Sequence, residues 1–338
     1  MSDIEPIYHE IAVKVTREEN KTLPIVLKKI ANPEQARILR ELPKTVEELA
    51  KELALGEETV NQHLQYLYER GLVTPGRRGW NLVNNLVLVK DRVASANHKY
   101  DDDELFDLLR KMSLENSDNL EERLKNGEHI PPVREGMRVV PKWRAIKDIP
   151  GVLPIEDMRE IFKANSPIVV HDCPCRRVYK NRPCKDEAPF DICLAIGPTA
   201  QRYIERKAGG KAITYDELIA FLDKIDQWPL VSTTGNSSIM PTILCSCCPD
   251  CCGLFVKAAR TVPALGKTTY AKSRFVIEDN PEACTGCGIC ADGRCPVDAI
   301  TMKDYPEFDD ERATTDNEAC IGCGVCVLAC PTEARRME

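Results

Sequence analysis

The chain has 338 residues, 17 cysteines and a formal net charge of −7. That length predicts two or three domains, and the acidic balance gives no whole-molecule footprint for nucleic acid. No apolar run reaches the roughly 18–20 residues of a membrane span, and the acidic start from Met1 to Pro6 lacks a signal core, so the expectation is a cytoplasmic protein without membrane partners.

Residues 31–95 read as the first domain. Gln35 to Leu42 predicts a helix, and Thr45 with Glu48 forms a capping box opening a second, with Val46, Leu49, Ala50 and Leu53 on its apolar side and Gly56 as its breaker. Thr59 to Arg70 predicts a third helix with Val60, Leu64 and Leu67 on one face. A strand from Gly71, a tight turn at Pro75 to Gly79 and a return strand from Trp80 follow. This order is similar to the winged helix of bacterial repressors. The resemblance implies that Asn61, Gln62 and Gln65 face base edges and that Arg77 and Arg78 touch phosphate. Against DNA, Glu57 and Glu58 open that helix, and residues 34–92 carry nine basic and nine acidic side chains. Protein docking or a plain structural role is therefore the favoured use of this domain, with DNA the lesser one.

Residues 96–145 read as a linker: an acidic, helix-prone stretch from Tyr100 to Lys125, then an extended segment with Pro131, Pro132 and Pro141. Residues 146–272 read as a cysteine-rich α/β domain. It has helices at Ile155 to Ala164 and, behind the capping box Thr214–Glu217, onward to Ile225, with short strands at Pro167 to Val170 and Pro241 to Leu244.

Nine cysteines lie in this middle domain. Cys173, Cys175, Cys184 and Cys193 follow the first strand, and Cys245, Cys247, Cys248, Cys251 and Cys252 follow the second. Such density is not core packing, although single free cysteines do pack as small hydrophobes. Four thiolates per cubane leave room for one or two further 4Fe–4S clusters, with a four-thiolate zinc site as the alternative and a redox-active thiol as another. Adjacent Cys247 and Cys248 point in different directions in extended chain, so they do not both serve one metal, and the two groups are expected to share ligands. Arg176, Arg177, Lys180, Arg182 and Lys185 stand near these thiols as either cluster-stabilising charges or a solvated face; His171 reads as structural.

Residues 273–338 hold two copies of one motif. Cys284, Cys287 and Cys290 are followed by Cys295-Pro296, and Cys320, Cys323 and Cys326 by Cys330-Pro331, each triplet at two-residue spacing. Gly286, Gly288, Gly322 and Gly324 let the loops approach inorganic sulfide. This resembles the bacterial two-cluster ferredoxin over roughly residues 274–336. The resemblance implies two 4Fe–4S clusters, one on Cys284, Cys287, Cys290 and Cys330, the other on Cys320, Cys323, Cys326 and Cys295. The spacer from Ala291 to Arg294 is one residue longer than usual; Gly293 is expected to absorb it, and Cys295 is the least secure ligand. Together with the Cys-Pro-Cys-Arg and Cys-Ser-Cys-Cys runs, the chain from about residue 130 also resembles a group of iron–sulfur proteins of anaerobic bacteria without an established activity.

The fold expected is thus α+β and multidomain. The function expected is a cytoplasmic, multi-cluster electron-transfer protein working between redox partner proteins in a reduced, anaerobic cell. The alternatives are a redox-sensing iron–sulfur transcription regulator and a reductase with a substrate-binding central cluster. No nicotinamide or flavin fingerprint is seen, Gly209-Gly210-Lys211 makes no phosphate loop, and no catalytic residue stands out.

Overall fold

The computed structural model describes residues 5–16, 20–115, 120–130, 132–179, 184–237 and 240–338. Pro131, Lys180, Arg182 and the first four residues, used above, lie outside them. Contacts divide the chain into two units, each built from three segments. Residues 1–129, 172–182 and 202–210 make one; residues 130–171, 183–201 and 211–338 make the other.

In the first unit, helices Pro6–Thr16 and Leu23–Ile30 precede the predicted trio, which runs Pro33–Glu41, Val46–Leu53 and Glu57–Glu69. The predicted box of Thr45 with Glu48 is present, and a second, not read from sequence, joins Asn32 with Gln35. The break between the last two helices differs in detail from the expectation. Ala54 takes the left-handed turn at φ 55°, whereas Gly56 is extended at φ −69° and serves as N-cap. Leu39, Leu49, Val60, Leu64 and Leu67 are fully buried, so the i, i+3/i+4 stripe is what holds the trio together. Strands β1 (Val73–Gly76) and β2 (Gly79–Leu82) form the predicted antiparallel hairpin, with exposed Arg77 and Arg78 at its tip. Trp80 N–H donates to the Lys44 carbonyl at 2.9 Å and pins the hairpin to the helices. Gly79 sits at φ 105°, where a Cβ would also strike that carbonyl.

Further helices of this unit, Leu86–Ala94, Asp103–Leu114 and the short Pro174–Val178, are tied by arginines from distant segments. Arg177 donates to the Ala96 carbonyl at 2.9 Å, pairs with Asp101 and stacks over Phe106. Arg206 donates to the carbonyls of Tyr68 and Arg92 at 3.0 and 2.7 Å; burial lowers its pKa to about 10.

The second unit is organised by a seven-stranded sheet of β3 (Met137–Val140), β4 (Ile168–His171), β5 (Cys193–Ile196), β6 (Lys211–Ile213), β7 (Val231–Gly235), β8 (Ile243–Cys247) and β9 (Tyr270–Ala271). The strand order is β6-β4-β5-β8-β7-β3-β9. All pairings are antiparallel except β3 with β9, so the region is a largely antiparallel sheet with helices between its strands. β3 lies in the stretch read from sequence as linker. Every residue of β4 and β5 is buried, which explains their unbroken apolar runs: a strand covered on both faces shows no alternation. Beyond the sheet come β10 (Ile277–Asp279), β11 (Ile300–Lys303), β12 (Arg312–Thr315) and β13 (Arg335–Met337), paired antiparallel as β10–β13 and β11–β12. Among the described residues no helix is long and apolar enough to cross a membrane.

Candidate metal centres

The two C-terminal cysteine loops repeat the same entry and closing contacts. Asn280 Oδ1 accepts the N–H groups of Glu282 and Ala283, and Asp316 Oδ1 accepts those of Glu318 and Ala319. Cys284 N–H reaches the Asn280 carbonyl at 3.1 Å, and Cys320 N–H that of Asp316 at 2.8 Å. Each loop thus begins from an Asx turn that presents its first cysteine.

The closing cysteines match as well. Ala299 N–H donates to Cys295 Sγ at 3.2 Å, and Ala334 N–H to Cys330 Sγ at 3.3 Å. Asp298 and Glu333, each three residues past its cysteine, share φ 52°. The extra residue in the first spacer is taken up ahead of this point. Gly293 has φ 64° and open space where a Cβ would stand, and the Cys295 turn keeps the geometry of its twin.

The loops enclose two cavities. One, of about 20 Å³, is lined by Cys284, Cys287, Cys290 and Cys330 with Arg335 beside them. The other, of about 10 Å³, is lined by Cys320, Cys323, Cys326 and Cys295. Four thiols converging on one small cavity is a donor set suited to a cubane. The fourth member comes from the other loop in each case. The glycines differ in why they are required. A Cβ on Gly322 would fall on Ser273 Oγ and the Phe275 carbonyl, and one on Gly324 would come 2.8 Å from Ala145 Cβ and Met337 Sδ. Gly288 has free space and needs glycine only for its φ of 71°.

Burial sorts the two sets. Cys287 is exposed, beside half-exposed Ile289, whereas Cys290, Cys323 and Cys326 are buried. Burial pushes the Cys323 and Cys326 thiols up to about 12 each, so without metal they stay protonated, and loading them releases protons. Cys290 is also raised by burial, opposed by Arg335.

Arg335 was not singled out by sequence. It is 3% exposed, donates Nη1–H to Cys290 Sγ at 3.1 Å, and through Nη2 pairs with Asp279 at 2.9 Å and contacts Thr315 Oγ1. Burial works against its charge, but Cys326, Asp279 and Cys290 together raise its pKa. One guanidinium therefore feels thiols of both cavities. Sequence gave no hint of it beyond its place after the Cys-Pro turn. Lys142 is equally buried and pairs with Asp226 at 3.0 Å, while its N–H donates to the Cys323 carbonyl at 3.0 Å. Desolvation raises the Asp226 pKa despite that partner.

The middle cysteines sort differently from their sequence groups. Cys173 and Cys175 fall in the first unit, Cys184 and Cys193 in the second. Lys90, buried, donates Nζ–H to Cys175 Sγ at 3.1 Å and to its neighbour Asp91 at 3.0 Å. Desolvation opposes the Lys90 charge, yet Asp91 and Cys175 raise its pKa well above the usual value. Cys193 opens β5 opposite His171 of β4, both buried. Cys245 and Cys247 lie within β8 rather than beyond a strand ending at Leu244. Cys247 interacts with Cys245 and Cys252; those hydrogen bonds and burial push its thiol well up. Cys248 instead faces Cys184 and Cys251. Of the basic residues near the first group, Arg177 holds the first unit together, and the Lys185 backbone N–H donates to Asp250 Oδ2 at 2.8 Å.

One apolar cluster joins the sheet to the C-terminal loops. Cys247, Cys252, Phe255 and Tyr270 pack with Ile321, Cys323 and Val325. The central thiols and the inner loop thus share a core.

Comparison with known proteins agrees with this architecture. The helix-turn-helix domain family matches residues 30–75, and the 4Fe-4S dicluster domain family matches residues 283–334. A search of curated proteins finds no match to the chain. The chain is a mixed α+β protein with an N-terminal helix-turn-helix domain and a C-terminal ferredoxin-like 4Fe–4S domain.

Proposed function

We propose that this chain is a multi-cluster iron–sulfur electron-transfer protein that passes single electrons between redox partner proteins. The observation that carries this reading is the pair of small cavities, each lined by four cysteines drawn from both loops. Cys284, Cys287, Cys290 and Cys330 would hold one 4Fe–4S cluster, and Cys320, Cys323, Cys326 and Cys295 the other. When bound, such clusters supply low-potential one-electron chemistry; the polypeptide sets burial, hydrogen bonding and approach.

Exposure gives the sites a direction. Exposed Cys287 and the neighbouring Ile289 mark the side open to a partner. Buried Cys323 faces inward, in the core that also holds Cys247 and Cys252. A cytoplasmic, anaerobic setting fits so many reduced thiols.

A second reading, a redox-sensing transcription regulator, is favoured by the helix-turn-helix match. Asn61, Gln62 and Gln65 are exposed on helix Glu57–Glu69, and Arg77 and Arg78 on the hairpin. Against it, exposed Glu57 and Glu58 stand in the first turn of that helix, and Gln62 is turned toward Glu58 at 3.0 Å.

Anaerobic iron and sulfide analysis with EPR of the dithionite-reduced chain tests the first reading. About eight irons per chain with coupled 4Fe–4S signals is the expected result, and no iron would overturn it. Retention on DNA at physiological salt that changes with cluster oxidation would move the assignment to the regulator.

A further inference from the structure

Cys184, Cys248, Asp250 and Cys251 each turn one ligand atom into a common space, all within 4.8 Å of one another. Cys184 Sγ lies 3.8 Å from Cys248 Sγ, and Cys248 Sγ lies 2.7 Å from Cys251 Sγ. We infer that these four side chains bind a single divalent cation of the zinc class, with Asp250 as the fourth ligand. The inference rests on reading the middle cysteines as metal-binding and is independent of the C-terminal clusters.

The argument is one of size. Zinc–thiolate bonds near 2.3 Å at the tetrahedral angle put ligand sulfurs about 3.8 Å apart. A cubane carries its irons on four separate corners and needs its thiolates spread much wider. The Cys184–Cys248 pair already has the spacing of one ion, the Cys248–Cys251 pair has to open by about 1 Å to admit it, and no pair in the group exceeds 4.8 Å. Its donor set matches too: three soft sulfurs and one oxygen suit zinc, while a cubane is ordinarily held by four thiolates.

The backbone explains how the set assembles. Adjacent residues in extended chain point to opposite sides, so Cys247 and Cys248 part company at the end of β8. Cys247 joins Cys245 and Cys252, and Cys248 turns toward Cys184. Two residues further on, the chain brings Asp250 and Cys251 back to the same point, just before helix Gly253–Leu265 begins. Lys185 N–H donates to Asp250 Oδ2 at 2.8 Å and fixes the carboxylate, the outer support that metal ligands usually have.

All four ligands come from the protein, which makes this a closed, structural centre rather than one open to substrate. Its effect is to staple the loop at Cys184 to the connection between β8 and the following helix. That connection also carries Cys252, which packs in the core with Cys323.

The test uses the full chain, prepared anaerobically with its iron in place. Zinc is counted by elemental analysis, and Co(II) is titrated, as a spectroscopic probe, into protein from which zinc but not iron has been removed. The expected result is one zinc per chain besides the iron, and the intense visible bands of a tetrahedral thiolate cobalt site. Cys184→Ser and Cys251→Ser should each weaken cobalt binding at least roughly 100-fold while iron per chain is unchanged. Asp250→Asn is the milder variant, should a serine variant fail to fold; it should weaken cobalt binding and shift those bands.

Three results would overturn the assignment. One is no zinc and no cobalt bands with iron at its full complement. Another is iron, rather than zinc, leaving in a block with Cys248→Ser. The third is a Cys248–Cys251 disulfide in freshly isolated protein. Zinc present with iron missing would sink the electron-transfer reading and leave this one standing.

Discussion

Arg335 is the residue whose removal separates electrostatics from architecture. A buried positive group hydrogen-bonded to a ligating sulfur favours the more negative, reduced cluster and so raises its potential. Arg335→Gln keeps hydrogen-bonding capacity and removes the charge. A charged hydrogen bond contributes about 1–1.5 kcal/mol more than a neutral one, so the potential should fall by on the order of 40–65 mV for a one-electron couple. Potentiometric EPR titration reads this directly, with iron content expected to hold. An unchanged potential would mean that Arg335 acts only through packing with Asp279 and Thr315.

At the scale of elements, the C-terminal end of helix Glu57–Glu69 shows how a carboxylate can anchor a fold. Glu69 is buried, accepts from Tyr100 Oη at 3.0 Å and from Lys99 Nζ at 3.2 Å, and Tyr100 lies under the Arg70 guanidinium. Desolvation alone would raise its pKa, but the bonds from Tyr100 and Lys99 outweigh it, and the folded value lies below the usual 4.5. The sign follows: this stabilisation is complete above the unfolded value and is lost as pH falls through the folded one. Glu69→Gln should cost the first unit about 1–2 kcal/mol at pH 7, with the deficit shrinking in acid below about pH 4. Hydrogen exchange of peptides spanning residues 57–100 at both pH values measures it.

The same scale shows what sequence could convey. Capping boxes and apolar stripes are local, so Thr45 and Thr214 announced their helix starts directly, and the repeated cysteine spacing pointed to the 4Fe-4S dicluster family. β4 was read from its apolar run at Pro167 to Val170, but β5, also covered on both faces and without alternation, was not, and β3 was hidden in a stretch that reads as linker. The partners of the middle cysteines were not legible. Whether Cys184 meets Cys173 or Cys248 is decided by the pairing of β5 with β8, a long-range choice that ligand spacing does not encode. Arg335 was missed for a similar reason: its partners Cys290, Asp279 and Thr315 come from three other places in the chain.

For the whole molecule, the first unit is not a contiguous stretch of chain. It recruits residues 172–182 and 202–210, and from them come Arg177, bonded to Ala96 and Asp101, and Arg206, bonded to Tyr68 and Arg92. A fragment of residues 1–129 keeps every helix of the trio but leaves those carbonyls without their guanidinium donors. Each neutral backbone bond contributes about 0.5–1.5 kcal/mol, and bonds from a charged donor more. The fragment should therefore unfold at lower urea than the same unit within the full chain, with circular dichroism at 222 nm as the readout for the fragment and exchange of matching peptides for the full chain. Equal midpoints would show that the late segments add nothing.

That patchwork also bears on synthesis. As the chain leaves the ribosome, its first unit must wait for about eighty further residues, through the first middle cysteines, before Arg206 arrives to close it. Such distant closure is slow compared with local helix formation, and a newborn chain stays without its final braces during the interval. Thiols at positions 173 to 193 therefore emerge before the first unit is finished, and a cell making this protein must keep those nascent sulfurs reduced until the later half has followed.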